Sequence, residues 1–367
     1  MKRRVAVVFG GRSAEHEISV LSARSVIEAL DPARYDAVAI GVTKDGRWQL
    51  MPSGPPALPG GDAAQLPGVA PGMGADVALD QHPGSQALVS PEGTRTSLDV
   101  VFPVMHGPYG EDGSIQGLFE MAGVPYVGSG VLGSAIGMDK AVQKVLFRSA
   151  GIPVVPHEVV HERDWEEDAG AVEARAQHLG YPMFAKPAAL GSSIGIRKVA
   201  GADELRGALE NVFRYGRKAV LERSMERARE LEVSVLGNDD PVASVAGEIV
   251  PRGHEFYDYE AKYLDEHGAE LLIPAEISEG VLEELQRMAI GAFRAIDACG
   301  MARVDFFLTD EDRLFLNEVN TIPGFTGISM YPRLWEASGL PYPQLVDRLI
   351  ELAIERHESE RKRSTGA

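Results

Sequence analysis

The chain has 367 residues, 44% of them hydrophobic and 25% charged, with a formal net charge of -18. This composition suits a globular protein of two or three domains, and the negative charge argues against non-specific binding to nucleic acid or acidic membranes. The single cysteine, Cys299, allows no disulfide within the chain and reads as a small core residue; with no secretory signal or membrane-spanning apolar run evident, the expected location is cytoplasmic.

Val5–Phe9 reads as a short apolar strand. It runs into Gly10-Gly11-Arg12-Ser13 and a helix starting near Ala14–Glu15, in which Ile18, Leu21, Ile27 and Leu30 have helical spacing. Strand, glycine turn and helix open many α/β sheets and place a ligand site at the carboxyl end of the strand. The G-x-G-x-x-G fingerprint is missing here, so a dinucleotide is not indicated. Glu15, in the first helical turn, either complements the helix dipole or grips a ligand ammonium. Strands are predicted over Tyr35–Val42 and Arg47–Met51. Pro52 to Gly74 is dense in Pro and Gly and reads as an irregular surface excursion.

Leu98–Met105 is predicted as a buried strand. It ends at His106-Gly107 and the loop Pro108–Gly113, which puts His106 and Glu111 near the same carboxyl edge as Gly10–Ser13. Gly128, Gly130 and Gly133 do spell G-x-G-x-x-G. The strand before them, Pro125–Val127, is very short, and no acid follows about 20 residues on, so a glycine turn opening a helix over Ser134–Ala150 explains the pattern. Lys140 and Lys144 sit one turn apart on that helix, facing either a phosphate or water.

A second unit follows, with strand Val154–Val159, helix Trp165–Leu179, strand Pro182–Pro187, helix Ala202–Phe213 and strand Ala219–Glu222. Lys186 lies inside the apolar run PMFAKP, and a buried lysine needs an anion such as phosphate. Leu190–Gly195, LGSSIG, offers N–H groups and two hydroxyls. That makes an anion nest able to close over phosphates, although a plain hairpin turn uses the same residues. Glu222 ends its strand, where an acceptor can meet nucleotide hydroxyls or an amine.

In a third unit, Glu230–Leu236 and Val242–Val250 are predicted as antiparallel strands. The aromatic, charged stretch Pro251–Gly268 lacks periodicity and reads as a lid, with Lys262 and Tyr263 reaching inward. A helix is predicted over Val281–Cys299. Met301–Thr309 and Leu314–Asn320, joined by the turn Asp310–Arg313, form a hairpin. Arg303 and Asp305 share one face, as do Glu318 and Asn320. If the register brings these faces together, two carboxylates, a carboxamide and a guanidinium converge. Such an all-oxygen cradle suits magnesium on nucleotide phosphates, beside an arginine for a phosphoryl group or oxyanion. The alternative is a solvated hairpin face, against which stand the apolar Val304, Phe306, Leu316 and Val319. Tyr342–Arg356 is a final amphipathic helix, followed by a charged tail expected to fray.

Taken in order, GGRSAEHEIS (Gly10–Ser19), HGPYGEDGSIQG (His106–Gly117), GSGVLGSAIGMDK (Gly128–Lys140), KPAALGSSIG (Lys186–Gly195), ELEVSVLG (Glu230–Gly237), FYDYEAKY (Phe256–Tyr263), ARVDFF (Ala302–Phe307) and NEVNTIPGFTGIS (Asn317–Ser329) resemble the D-alanine–D-alanine ligases of the ATP-grasp superfamily. The resemblance covers almost the whole chain. It implies a mixed α/β ATP-grasp fold in three domains. These are an open α/β N-terminal domain over 1–135, a central subdomain over 136–228, and a C-terminal subdomain over 229–367 carrying the lid 251–268, with ATP held between the last two. The implied reaction joins two D-alanine molecules through a D-alanyl phosphate, giving ADP and phosphate, for peptidoglycan and cell-wall synthesis.

The same resemblance assigns roles. Lys140 and Lys186 match phosphate-binding lysines, and Ser192 and Ser193 match a closing glycine-rich loop. Glu222 and Glu232 match residues at the adenine–ribose end of ATP. Asp305, Glu318 and Asn320 match the ligands of two magnesium ions, with manganese as a substitute. Arg303 matches the arginine that stabilises the transferring group and the oxyanion. Glu15 matches the grip on the first D-alanine's ammonium, linked by hydrogen bonds to Ser192 and Tyr263, and His106 matches a residue near that substrate's carboxylate. Gly324 and Ser329 match the second D-alanine site, shared with Arg303, and Lys262 matches a lid lysine facing ATP and that site. The implied partners are D-alanine, ATP and a second copy in a homodimer.

The insertion from about Pro52 to Ser97 resembles the family's longer branch. Ile322 replaces the serine or leucine of many members and is expected to be neutral. The Lys262-Tyr263 pair points to a dipeptide product. Competing readings are a related ligase with D-lactate or D-serine as acceptor, against which the Glu15–Ser192–Tyr263 set stands, and a non-catalytic nucleotide-binding regulator, expected to have lost a metal ligand or Arg303. A Rossmann oxidoreductase is opposed by the failed fingerprint.

Overall fold

The computed structural model describes residues 2–56, 66–82, 84–251 and 268–363. The chain opens with β1 (Arg3–Gly10), α1 (His16–Ala29), β2 (Tyr35–Val42), β3 (Trp48–Leu50) and β4 (Ala75–Asp76). A small sheet follows, β5 (Ala78–Leu79), β6 (Ala87–Val89) and β7 (Arg95–Ser97), then β8 (Val100–Pro103) and α2 (Ser114–Ala122). The first sheet has the order β4-β3-β2-β1-β8, with β1 parallel to both neighbours. Val5 to Phe9 are wholly buried, as an unbroken apolar run in a parallel sheet covered on both faces requires.

Next come α3 (Val131–Met138), α4 (Lys140–Ser149), β9 (His157–His161), α5 (Glu162–Glu167), α6 (Ala169–Leu179), β10 (Met183–Pro187), β11 (Arg197–Val199), α7 (Ala202–Phe213) and β12 (Lys218–Arg223). Their antiparallel sheet has the order β11-β10-β12-β9. The last section holds β13 (Arg229–Gly237), β14 (Val242–Pro251), β15 (Ala269–Leu272), α8 (Glu279–Ala295), β16 (Gly300–Leu308), β17 (Leu314–Asn320), α9 (Met330–Ala337) and α10 (Tyr342–Lys362). Its sheet has the order β15-β14-β13-β16-β17. The mixed α/β architecture expected from the sequence is present.

Two helices expected to be continuous are broken, each at an aspartate. Asp139 ends α3 and caps α4, its carboxylate accepting from the N–H groups of Ala141 and Val142 at 3.1 Å. Asp168 does the same between α5 and α6, accepting from Ala171 at 2.9 Å. A carboxylate that satisfies orphan N–H groups starts a new helix more readily than it continues an old one.

The strand expected over Val154–Val159 begins at His157, and Val154 instead forms an isolated parallel bridge to Leu316. The helix expected to reach Cys299 stops at Ala295, short of Asp297 at φ +57°, and Cys299 is only partly buried. The tail expected to fray past Arg356 is helical to Lys362.

One core joins the two ends of the chain. Val5, Phe9 and Phe102 pack with Phe325 and Tyr331, and with Leu345, Val346 and Leu349 of α10. Phe325 meets Phe102 edge-on at 5.6 Å. This packing holds the loop after β17 against the carboxyl edge of the first sheet, where the site lies.

Candidate active site

The hairpin brings the two predicted faces together. Asp305 is registered opposite Glu318, Arg303 opposite Asn320, and Glu232 of β13 stands on the other side of Asp305. Arg303 grips Asp305 with both arms, Nε to Oδ1 and Nη2 to Oδ2, each at 2.8 Å. Asn320 donates to Oδ2 of Asp305 at 3.0 Å, and Glu232 pairs with Arg303 at 2.9 Å. Burial works against the Arg303 charge, but Asp305 and Glu232 outweigh it and hold the guanidinium even more firmly protonated than usual.

A second cluster faces the first. Lys140, at the start of α4, donates to the carbonyl of Leu190 and pairs with Oε2 of Glu318, both at 2.8 Å. Glu222 is buried between Lys144 and Lys186 and is ion-paired with both. Burial alone would raise the Glu222 pKa, but the two ammoniums overcome it and bring it to about 2. Lys144 also donates to the carbonyl of Asn317 at 2.8 Å. It is fully buried, so it faces neither water nor an open phosphate site.

The two clusters border a cavity of about 510 Å³ between β10, β12 and the β13–β16–β17 sheet, with Arg303, Asn320 and Lys144 standing behind its lining. Lys140, Lys186, Ser192, Ser193, Glu222, Glu232, Asp305 and Glu318 all line it, as expected for one site. Phe184, Ile194, Met225, Leu231 and Phe306 give it an apolar wall. Ser192 and Ser193 adopt φ of +48° and +58°, a left-handed conformation that costs most side chains energy and recurs at ligand-closing loops.

Glu15 stands outside the cavity lining but reaches this loop, because the Ser192 hydroxyl donates to its carboxylate. Two glycines make room for that carboxylate. A Cβ on Gly107, which has φ +72°, would lie 2.9 Å from Oε2, and one on Gly191 would lie 3.3 Å from it. His106 and Glu111 do share the edge expected of them. His106 donates from Nδ1 to the carbonyl of Ile322 at 3.1 Å, with Nε2 bonded to Ser22. Glu111 accepts from the N–H groups of Gly107 at 2.7 Å and Ile322 at 3.2 Å. Burial, then the Glu15 charge, raises the Glu111 pKa to about 8, and burial lowers that of His106.

Beyond Ile322, Ser329 Oγ accepts from Thr326 N–H at 3.1 Å and lies 3.1 Å from where a Cβ on Gly324 would stand. Lys262, Tyr263 and the interior of the predicted lid lie outside the described residues.

The donor set fits magnesium in kind. Two carboxylates and one carboxamide, all hard oxygen donors, are in register on adjacent strands. Among the described residues no group of three or more His, Cys, Asp or Glu side chains is gathered for a metal. The cavity also adds residues that the sequence reading passed over, notably Glu230, Phe184 and Met225. Glu230 could have been found by the period-two rule that found Arg303 and Asp305, since it shares a face of β13 with Glu232. The apolar wall carried no local signal.

Two family models match the chain, one described as D-ala D-ala ligase N-terminus over residues 4–129 and one as D-ala D-ala ligase C-terminus over residues 146–351. A D-alanine–D-alanine ligase of Geobacillus thermodenitrificans is 47% identical over 98% of this chain and 97% of its own length. One of Deinococcus radiodurans is 48% identical over 97% of this chain and 99% of its own. Among solved structures, the D-alanine–D-alanine ligase of Coxiella burnetii superposes with a TM-score of 0.85 at 39% identity, covering 98% of this chain and 96% of that one. The VanG D-Ala:D-Ser ligase of Enterococcus faecalis gives 0.82 at 33% identity, covering 96% of this chain and 100% of that one. The chain belongs to the D-alanine–D-alanine ligase family.

Proposed function

We propose that the chain joins two molecules of D-alanine at the expense of ATP, forming D-alanyl-D-alanine for peptidoglycan. Whole-length similarity to D-alanine–D-alanine ligases supports the reaction. The convergence of Arg303, Asp305, Glu318 and Asn320 beside Lys140 and Lys186 is the structural observation that carries it.

A carboxylate is a poor acyl donor, so the first D-alanine needs its oxygen to attack the terminal phosphate of ATP, giving an acyl phosphate and ADP. The free amine of the second D-alanine then attacks the acyl carbon, the carbon–oxygen bond breaks with its electron pair on phosphate, and the nitrogen gives up a proton. In this reading Lys140 and Lys186 hold the phosphates, the Ser192–Ser193 loop closes over them, and the apolar wall takes the base. Glu222 and Glu232 belong to the nucleotide side. Asp305, Glu318 and Asn320 would hold two magnesium ions, or manganese in their place, and the metal would offset phosphate charge. Arg303 steadies the same charge and the oxyanion.

Glu15 grips the first ammonium, with Ser192 and Tyr263 joined to it, while His106 supports that substrate's carboxylate end. Gly324, Ser329 and Arg303 receive the second D-alanine, and Lys262 approaches from the lid. An acyl phosphate hydrolyses in water, so the loop and the lid 251–268 have to exclude it.

The three larger sheets correspond on this reading to domains over 1–135, 136–228 and 229–367, with the small β5–β6–β7 sheet in the first. Among the described residues no helix is long and apolar enough to cross a membrane. A cytoplasmic homodimer using ATP, with no nucleic-acid partner, completes the proposal. Glu318→Gln tests the site. It should abolish D-alanine-dependent phosphate release, and near-normal turnover would refute the metal assignment.

A further inference from the structure

His16 is fully buried, and both of its ring nitrogens are engaged. Nδ1 lies 2.7 Å from the carbonyl oxygen of Gly11, which can only accept, so Nδ1 carries the proton. Nε2 then presents a lone pair, and it accepts from the backbone N–H of Val69 at 2.8 Å. Gly11 belongs to the turn after β1. Val69 belongs to the Pro- and Gly-rich excursion, which no motif of the family resemblance touches.

The surroundings hold this bridge closely. A Cβ on Gly68 would lie 3.5 Å from the imidazole, and one on Gly41 would lie 2.9 Å from Val69. A Cβ on Gly10, at φ +85°, would lie 2.3 Å from the carbonyl oxygen of Val42 and 3.1 Å from His16. Val69 is itself buried in the core that contains Phe9 and Met51. The N–H of Gly10 is taken by Ser19 Oγ, and that of Gly11 by Val42, each at 2.8 Å. The excursion is therefore tied to the glycine turn through a bridge running from backbone to imidazole to backbone.

Glu15 directly precedes His16. We propose that His16 is a positioning residue for the first substrate: by tying the Gly10–Ser13 turn to Val69, it fixes the entry into α1 and the direction of the Glu15 carboxylate. The inference rests on the reading of Glu15 as the ammonium grip. It gives the excursion a role as a support of the first-substrate site. His16 has no access to substrate and acts only through its neighbour.

Two variants break the bridge from opposite sides. His16→Asn keeps a donor near Gly11 but is too short to reach Val69. Val69→Pro removes the N–H and leaves the imidazole. Each should raise the apparent KM for the first D-alanine about tenfold, with the KM for ATP unchanged. A purely structural bridge would lower the thermal midpoint and leave both KM values in place, which would overturn the proposal.

Should either variant fail to fold, the wild-type protein decides. Nitrogen-15 shifts of His16 should show a protonated Nδ1 and a bare Nε2. Amide exchange at Val69 should slow when D-alanine is added with a non-hydrolysable ATP analogue, but not with the analogue alone. The opposite tautomer, or exchange indifferent to D-alanine, would overturn it. Wild-type protein inert toward D-alanine would instead count against the ligase reading, whereas normal wild-type turnover with unshifted KM values in both variants counts against this proposal alone.

Discussion

The ammonium of Lys140 lies 2.8 Å from Oε2 of Glu318. On the proposed reading one serves the phosphates of ATP and the other the metal, and within the protein their charges offset each other. Arg303 repeats the arrangement with Asp305 at 2.8 Å. A metal ion arriving alone has to displace two cations, and a nucleotide arriving alone has to draw them off two acids. Each ligand does for the other what it cannot do unaided.

Magnesium and nucleotide are therefore expected to bind cooperatively, and thermodynamic linkage makes the effect reciprocal. Calorimetric titration of magnesium, with and without a non-hydrolysable ATP analogue, should show the nucleotide tightening the metal by about 5- to 150-fold. In Lys140→Gln the metal should bind more tightly without nucleotide than it does in the wild type. Equal metal affinity in all these titrations would show that the pairing carries no energetic weight.

The buried acid–base groups around Ile322 set opposite pH dependences. Glu111 has a folded-state pKa raised to about 8, from an ordinary value of 4.5. Folding therefore retains a proton that the unfolded chain releases between those values. The stabilisation is fully present below pH 4.5 and is lost as pH rises through about 8.

His106 works the other way. Its folded-state pKa lies below 6.5, so its contribution is present above that pH and is lost as pH falls through the folded value. Denaturant unfolding at pH 5, 6.5 and 8 should show Glu111→Gln losing a downward slope worth at most about 1.4 kcal/mol per pH unit. Parallel profiles for wild type and variant would contradict the burial argument.

Gly107 and Gly180 both sit at positive φ, +72° and +91°, but only Gly107 faces the Glu15 carboxylate. Alanine at Gly180 would meet nothing within 4 Å. Each alanine should cost at least about 1–3 kcal/mol through the backbone alone, and Gly180→Ala the more, since its ψ of 153° lies in a region essentially reserved for glycine. Gly107→Ala should in addition displace the carboxylate and raise the KM for the first D-alanine, which Gly180→Ala should leave unchanged. A comparison of the two in the same assay separates strain from contact.

How far the sequence could be read depended on whether the deciding contact was local. The β16–β17 hairpin was legible because period two put Arg303 with Asp305 and Glu318 with Asn320, and the observed register kept those pairs opposed despite an irregularity after Asp305. The breaks at Asp139 and Asp168 are hidden by apolar spacing that continues across them, while the capping carboxylate that ends one helix and starts the next is a single residue within a helical pattern. The tail past Arg356 looked like solvated charge. In the fold the Arg356 guanidinium stacks over Tyr126 at 4.3 Å and donates to the carbonyl of Gly128 at 2.6 Å, contacts no local pattern encodes. The surroundings of Lys144 are equally non-local, since its partner Glu222 comes from a distant strand.

The central claim is tested most directly by phosphate release from ATP and magnesium, with D-alanine alone, with L-alanine, and with D-alanine plus D-lactate or D-serine. The account predicts release with D-alanine alone, the dipeptide appearing in step, and none with L-alanine. Release only when D-lactate or D-serine is present, or no release with any of them, would contradict it.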